Sequence, residues 1–193
     1  MLHALILFFG IHPSVLSPIT SPISTQFLAE NIAAVQAGHV ATHFYAPGPE
    51  SAFGNFTGSG VTIGCVFWCL MSKNKALKQV GRLSFIPALF GITEPVIFGT
   101  PLVLNFTFFI PFVFGNVIAI LISYAAIASG LVPTLMGAST IFGLPIGFHA
   151  AIQGSWQAVV LQIVVMVILG LVWYPFFRKA DNDAYKLEQE AAK

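Results

Sequence analysis

From Pro95 to Phe177 the chain contains no Asp, Glu, Lys or Arg. About 20 predominantly apolar residues suffice to cross the hydrocarbon of a bilayer, so several crossings fit in that tract. The whole chain agrees: it is 56% hydrophobic and 8% charged, with a mean hydropathy of +0.86, where an ordinary soluble domain carries about 25% charged residues. We read an all-α integral membrane protein. A nucleic-acid partner is excluded, because a formal net charge of +1 leaves no basic stripe able to follow a phosphate backbone.

The few charges define a topology. All eight Lys and Arg fall in two groups, Lys73, Lys75, Lys78 and Arg82, then Arg178, Lys179, Lys186 and Lys193. Short basic loops beside membrane spans stay on the cytoplasmic side, so both groups are expected there, with an even number of crossings between them. Residues 106 to 129 and 156 to 177 supply those two, the second bounded by Trp156 and the Trp173/Tyr174 pair as interfacial anchors. Residues 130 to 155, rich in Gly and Pro, are expected to form an extracytoplasmic loop folded back onto the protein. Residues 83 to 105 hold Pro87, Gly91, Pro95, Gly99 and Pro101 and are expected to enter and return as a re-entrant hairpin. A span is expected over 57 to 72. A second broken segment is expected over 9 to 30, with Pro13, Pro18, Pro22 and His12.

The expected fold is therefore transmembrane helices with two re-entrant hairpin-like segments. Its membrane-embedded part covers 1–177, followed by a short solvated cytoplasmic helix over 178–193. The opening "MLHALILFFGIHP" lacks the basic start and small-residue cleavage site of a signal peptide. It reads as the end of a helix whose beginning is absent, hence as the C-terminal part of a larger permease.

One acid stands in this landscape. Glu94, in "GITEPVIFGTP", is the only acid between Glu50 and Asp181. A charge at mid-membrane costs at least about 2.5 to 3.5 kcal/mol, so such a residue marks a functional site by default. Re-entrant backbone survives in a bilayer only where protein buries it or it lines a wet cavity; two interrupted segments in one membrane chain point to a transporter's binding site. A carboxylate there accepts two hydrogen bonds from vicinal hydroxyls, which suits a sugar. The competing reading is a structural brace on the hairpin backbone. Asn31, in "AENIAA", could bond a sugar hydroxyl or brace backbone. Trp156 could stack on a pyranose face or anchor at the lipid interface. No metal is expected, since His39 and His43 lack further ligands at workable spacing. His149 is expected to be satisfied by neighbouring carbonyls, and Cys65 and Cys69 read as small apolar side chains.

The tract "GITEPVIFGTPLVLNFTFFIPFVFGN" resembles the signature region of the membrane-embedded IIC component of bacterial phosphotransferase-system permeases, in the lactose, cellobiose and diacetylchitobiose family. "GIHP", "LAENIAAV", "GSGVTIG" and "GSWQAVVLQ" support the resemblance, which runs along almost the whole chain. It implies that 1–177 is a transport domain, with a β-linked disaccharide held between two re-entrant segments and a cytoplasmic IIB partner, supplied in turn by IIA, that phosphorylates the sugar 6-hydroxyl from its cysteine. The IIC subunit binds and translocates; the transfer chemistry belongs to the complex, with no cofactor. By motif position Glu94 and His12 are the catalytic and substrate-binding candidates, and Thr93, Asn31 and Trp156 join them as substrate-binding candidates. Pro13 follows His12 where the family more often has glycine. The resemblance further implies a bacterial cell membrane, lipid contact, a cytoplasmic C-terminus, and a homodimer formed through the absent N-terminal half. Two other readings share these features: an ion-coupled secondary sugar transporter, with Glu94 as proton site, and an inactive split-gene fragment.

Overall fold

A computed structural model describes residues 1–44, 46, 50–135, 143–153 and 155–191. Every regular element among them is helical. In chain order they are α1 (Leu2–Phe8), a 3₁₀ turn (Pro13–Leu16), α2 (Ser17–Gln36), a π turn (Glu50–Gly54), α3 (Ile63–Leu70) and α4 (Lys75–Leu89). Then follow α5 (Glu94–Gly99), a 3₁₀ turn (Phe106–Phe108) running into α6 (Phe109–Ala128), α7 (Phe148–Ala151) and α8 (Trp156–Ala191).

Two of these are long and apolar enough to cross a membrane, Phe106–Ala128 and Trp156–Ala191. Only 39% and 28% of their most apolar stretches are buried inside the molecule. The core helix of a soluble protein is mostly buried, whereas these present Ile110, Leu121, Val160, Ile163, Val167 and Leu171 outward. Such a face belongs in lipid.

Because lipid is as apolar as leucine, helices in a bilayer associate through close packing and hydrogen bonds. Small residues provide the approach. A Cβ on Gly64 of α3 would lie 2.8 Å from the Gly170 Cα of α8, and one on Gly115 of α6 would lie 2.5 Å from the Gly60 carbonyl oxygen. Indole N–H groups supply bonds: Trp68 to the Gly170 carbonyl at 2.6 Å and the fully buried Trp173 to the Gly60 carbonyl at 2.9 Å.

The expected span over 57 to 72 contracts to the eight residues of α3. Gly58 and Gly60 take positive φ, as does Val61, and turns occupy 55–62. That turn is stable because other helices satisfy its backbone. Asn116 of α6 accepts from Gly60 N and donates to the Gly54 carbonyl, and Trp173 reaches Gly60 from α8. The break in the first segment is narrower than expected. Residues 9–12 interrupt it; α2 then runs through Pro18, near its first turn, and Pro22. The segment over 130 to 155 does fold back where it is described, Ile146 N donating to the Leu89 carbonyl at 2.9 Å. The parts of that expectation on 136–142 and 154 lie outside the described residues.

The tail differs most from expectation. It is not a separate helix: α8 continues through Pro175 to Ala191, largely exposed as expected past residue 178 but with Asp181 buried. Tertiary bonds to residues 72–75, detailed below, outweigh the local cost of the proline.

Candidate functional site

The hairpin is built from α4 and α5. A Cβ on Gly99, at the end of α5, would meet Val80 Cγ1 at 2.6 Å, so the short helix folds straight back along the long one. The hairpin thus begins at Lys75, earlier than the expected residue 83, because Asn74 caps α4 by accepting from Leu77 N at 2.9 Å. At the tip, Phe90 N and Ile92 N both donate to the Pro87 carbonyl, and Gly91 takes φ +76°. Proline at 87 costs one helical bond, and its carbonyl then closes the turn.

Thr93 is buried at the tip, 4% exposed. Its carbonyl accepts from Val96 N at 3.1 Å and Ile97 N at 3.0 Å, starting α5. Its side chain fills the space a Cβ on Gly58 would take. Glu94, the first residue of α5, is exposed, and among the described residues its carboxylate has no hydrogen-bond or ion-pair partner. A brace on the hairpin backbone is therefore absent there.

His12 stands in the other interruption. Its backbone is extended, and it precedes Pro13, whose fixed φ suits the first position of the 3₁₀ turn. Nδ1 accepts from Ser14 N at 3.3 Å and lies 2.8 Å from Ser14 Oγ. With Nδ1 accepting from Ser14 N, Nε2 is the ring nitrogen left to donate, on an exposed side chain. The two interruptions are tied together. Leu104 N, just beyond α5, donates to the Phe8 carbonyl at 2.9 Å, with Leu104 itself at φ +56°. Phe8 also packs edge-on to Phe106 and Phe109, ring centres 5.4 and 5.0 Å apart.

Asn31 is engaged elsewhere, and Trp156 is exposed. The buried Asn31 amide is occupied by the 42–43 backbone, donating to the His43 carbonyl at 2.7 Å and accepting from Thr42 N and His43 N. His43 is engaged too, 2.6 Å from Glu30 and stacked on Phe27. Trp156 begins α8 at 72% exposure. No hydrogen bond among the described residues joins either to Glu94. A cleft of about 300 Å³ opens beside the His12 break, lined by His3, Pro13, Thr20, Asn55, Ser59 and Asn116 among others. It reaches Pro13 and not Glu94.

Sequence reasoning passed over the amides that hold these turns. Asn116 and Gln162 are polar residues in otherwise apolar spans, which was the available signal. Asn116 clamps the 54–60 turn, while Gln162 accepts from Gly147 N at 2.7 Å and donates to the Ala52 carbonyl at 2.6 Å. A lone amide announces a partner without saying which.

Long helices that expose apolar faces, beside interrupted segments tied together by backbone bonds, define the class: a helical membrane protein with broken segments. The chain belongs to the phosphotransferase system EIIC family, whose description, "Phosphotransferase system, EIIC", matches residues 1–116. It is similar to the oligo-beta-mannoside-specific EIIC component of Bacillus subtilis (strain 168), 30% identical over 96% of this chain and 43% of that protein. It is also similar to the cellobiose-specific EIIC component of Lactococcus lactis subsp. lactis (strain IL1403), 36% identical over 91% of this chain and 40% of that protein. A third relative is the lactose-specific EIICB component of Staphylococcus haemolyticus (strain JCSC1435), 34% identical over 95% and 32%. Among solved structures it matches the transporter ChbC, the IIC component of the N,N'-diacetylchitobiose-specific phosphotransferase system. There the TM-score is 0.89 and the identity 30%, over 97% of this chain and 44% of that one. The chain thus spans less than half the length of these relatives.

Proposed function

We propose that this chain is the sugar-carrying part of a phosphoenolpyruvate-dependent phosphotransferase permease, which binds a β-linked disaccharide and presents it to a cytoplasmic IIB partner. The observation that carries the reading is the exposed, unpaired carboxylate of Glu94 at the tip of a hairpin tied to the His12 break, in a chain of the EIIC family. In an apolar bilayer an uncompensated charge is expensive. A ligand rich in hydroxyl donors compensates it.

On this reading Glu94 accepts hydrogen bonds from vicinal hydroxyls near the reacting end. His12 Nε2–H donates to a sugar oxygen and helps orient the accepting hydroxyl. Buried Thr93 fixes the carboxylate's backbone, and Trp156 offers an apolar face to a pyranose ring. Asn31 acts at a distance, by shaping the loop at 42–43. The fused naming of the EIICB relative supports a IIB domain as the phosphoryl donor. The names of the relatives span mannosides, cellobiose, lactose and diacetylchitobiose, so the supported substrate class is the β-linked disaccharide. The C-terminus lies in the cytoplasm of a bacterial cell, on the side of both basic groups, and dimer contacts fall to the half that precedes this one in its relatives.

The test is co-production with that N-terminal half, followed by uptake of labelled disaccharides in vesicles loaded with phosphoenolpyruvate and the soluble phosphocarriers. The reading requires sugar phosphate inside and insensitivity to a protonophore. Free sugar accumulating in a protonophore-sensitive manner would replace it with ion-coupled transport.

A further inference from the structure

The end of α8 is charged and polar, the composition of a solvated helix, yet one of its acids is buried. Asp181 is 8% exposed. Its Oδ1 accepts from the Ser72 hydroxyl and from Asn74 N at 3.3 Å, and its Oδ2 from Lys73 N at 3.3 Å. Two turns later, on the same helix face, Glu188 Oε2 accepts from Asn74 Nδ2 at 2.9 Å and Lys75 N at 3.1 Å. Between the two acids the Ala184 carbonyl accepts from Asn74 Nδ2 at 3.2 Å.

Each of these bonds ends on residues 72–75, the turn from which α4 rises. Asn74, gripped from both sides, is also the residue that caps α4. A carboxylate taken out of water is costly unless donors surround it, and three donors converge on Asp181. Farther along, α4 is packed through Gly81 against the end of α3, a Cβ there lying 2.6 Å from Leu70 N. At its root, by contrast, Lys75, Lys78, Gln79 and Arg82 are exposed. The root is thus fixed from two sides, by α3 and by the grip of α8, and α4 is a single helix from that root to the turn that holds Thr93 and leads into Glu94.

We infer that Asp181 is a positioning residue for the Glu94 hairpin: by fixing Ser72, Lys73 and Asn74 to the last helix, it sets where the hairpin tip stands. The functional arm rests on the sugar-permease reading; the structural arm does not. A side chain misplaced by about 1 Å can cost on the order of 100-fold in rate, so a loosened root reduces turnover more than ground-state binding.

The experiment compares wild type, Asp181→Ala, Asp181→Asn, Ser72→Ala and the Asp181→Ala/Ser72→Ala double variant, each co-produced with the N-terminal half. Amide exchange is followed at residues 74–77 and 91–97, beside the kinetics of sugar phosphorylation. For Asp181→Ala we expect exchange about tenfold faster at both root and tip with α6 unchanged, and kcat down about tenfold with KM within about twofold. Adding Ser72→Ala should cost less than Ser72→Ala does in the wild-type background, because the two variants share the Asp181–Ser72 bond, while the bonds of Ser72 to Asn74 are lost in both backgrounds. Asp181→Asn, which keeps an acceptor oxygen, should fall between, and it carries the test should the alanine variant fail to fold. Faster exchange at the root with wild-type tip exchange and kcat, in either variant, overturns the inference. If wild type phosphorylates no sugar, the permease reading falls, and the exchange at the tip still decides whether Asp181 holds the hairpin.

Discussion

Two irregular turns, 55–62 and 90–93, meet where Gly58 lies against Thr93. Gly58 has φ +72°, and a Cβ there would overlap Thr93 Oγ1 and come within 3.2 Å of its Cβ. Gly58→Ala therefore costs about 1 to 2 kcal/mol for the left-handed backbone and, in addition, pushes on the residue that seats Glu94. We expect sugar affinity by titration calorimetry to fall by more than the shift in melting temperature accounts for. Asn116→Leu removes the clamp on Gly54 and Gly60, leaving a backbone donor and acceptor unpaired. About 1 to 3 kcal/mol per orphaned group predicts clear destabilisation in a detergent melt. At this scale the sequence revealed what stood out chemically. Glu94 was legible as a lone acid, whereas the role of Asn116 was not, because its partners Gly60 and Gly54 lie 56 and 62 residues away.

Among the elements, the spans were the most legible. The expected 106 to 129 compares with Phe106–Ala128, and Trp156 does begin α8. Uniform apolarity over a bilayer's thickness is a signal that needs no tertiary information. The glycine-rich stretch at 57–62 misled, because its apolar character resembled a span while its backbone depends on α6 and α8 for satisfaction. The same dependence yields a prediction for α3. Gly64 is nearly in backbone contact with Gly170, so Gly64→Leu must force α3 away from α8 and break the Trp68 bond to the Gly170 carbonyl. Overpacking of this kind costs about 1 to 3 kcal/mol. Trp68 emission should shift to the red if the indole is released, and an unshifted spectrum in a well-folded variant would contradict the packing.

For the molecule as a whole, the recurrent pattern is an irregular segment held by a polar side chain from a distant helix. Asn116 holds 54–60, Gln162 joins Gly147 to Ala52, and Asp181 holds 72–74. A chain built this way satisfies its non-helical backbone from within the protein, which is what any such backbone at membrane depth requires. Glu94 is the unpaired acid at the hairpin tip, and the proposed function depends on that carboxylate meeting a sugar. The most direct measurement is phosphoenolpyruvate-dependent phosphorylation of a β-linked disaccharide by Glu94→Gln, co-produced with the N-terminal half at membrane levels matched to wild type. Loss of a charged acceptor at about 1.5 to 3 kcal/mol predicts a fall on the order of 10- to 100-fold in kcat/KM. Phosphorylation at the wild-type rate by an inserted, folded Glu94→Gln protein would contradict it.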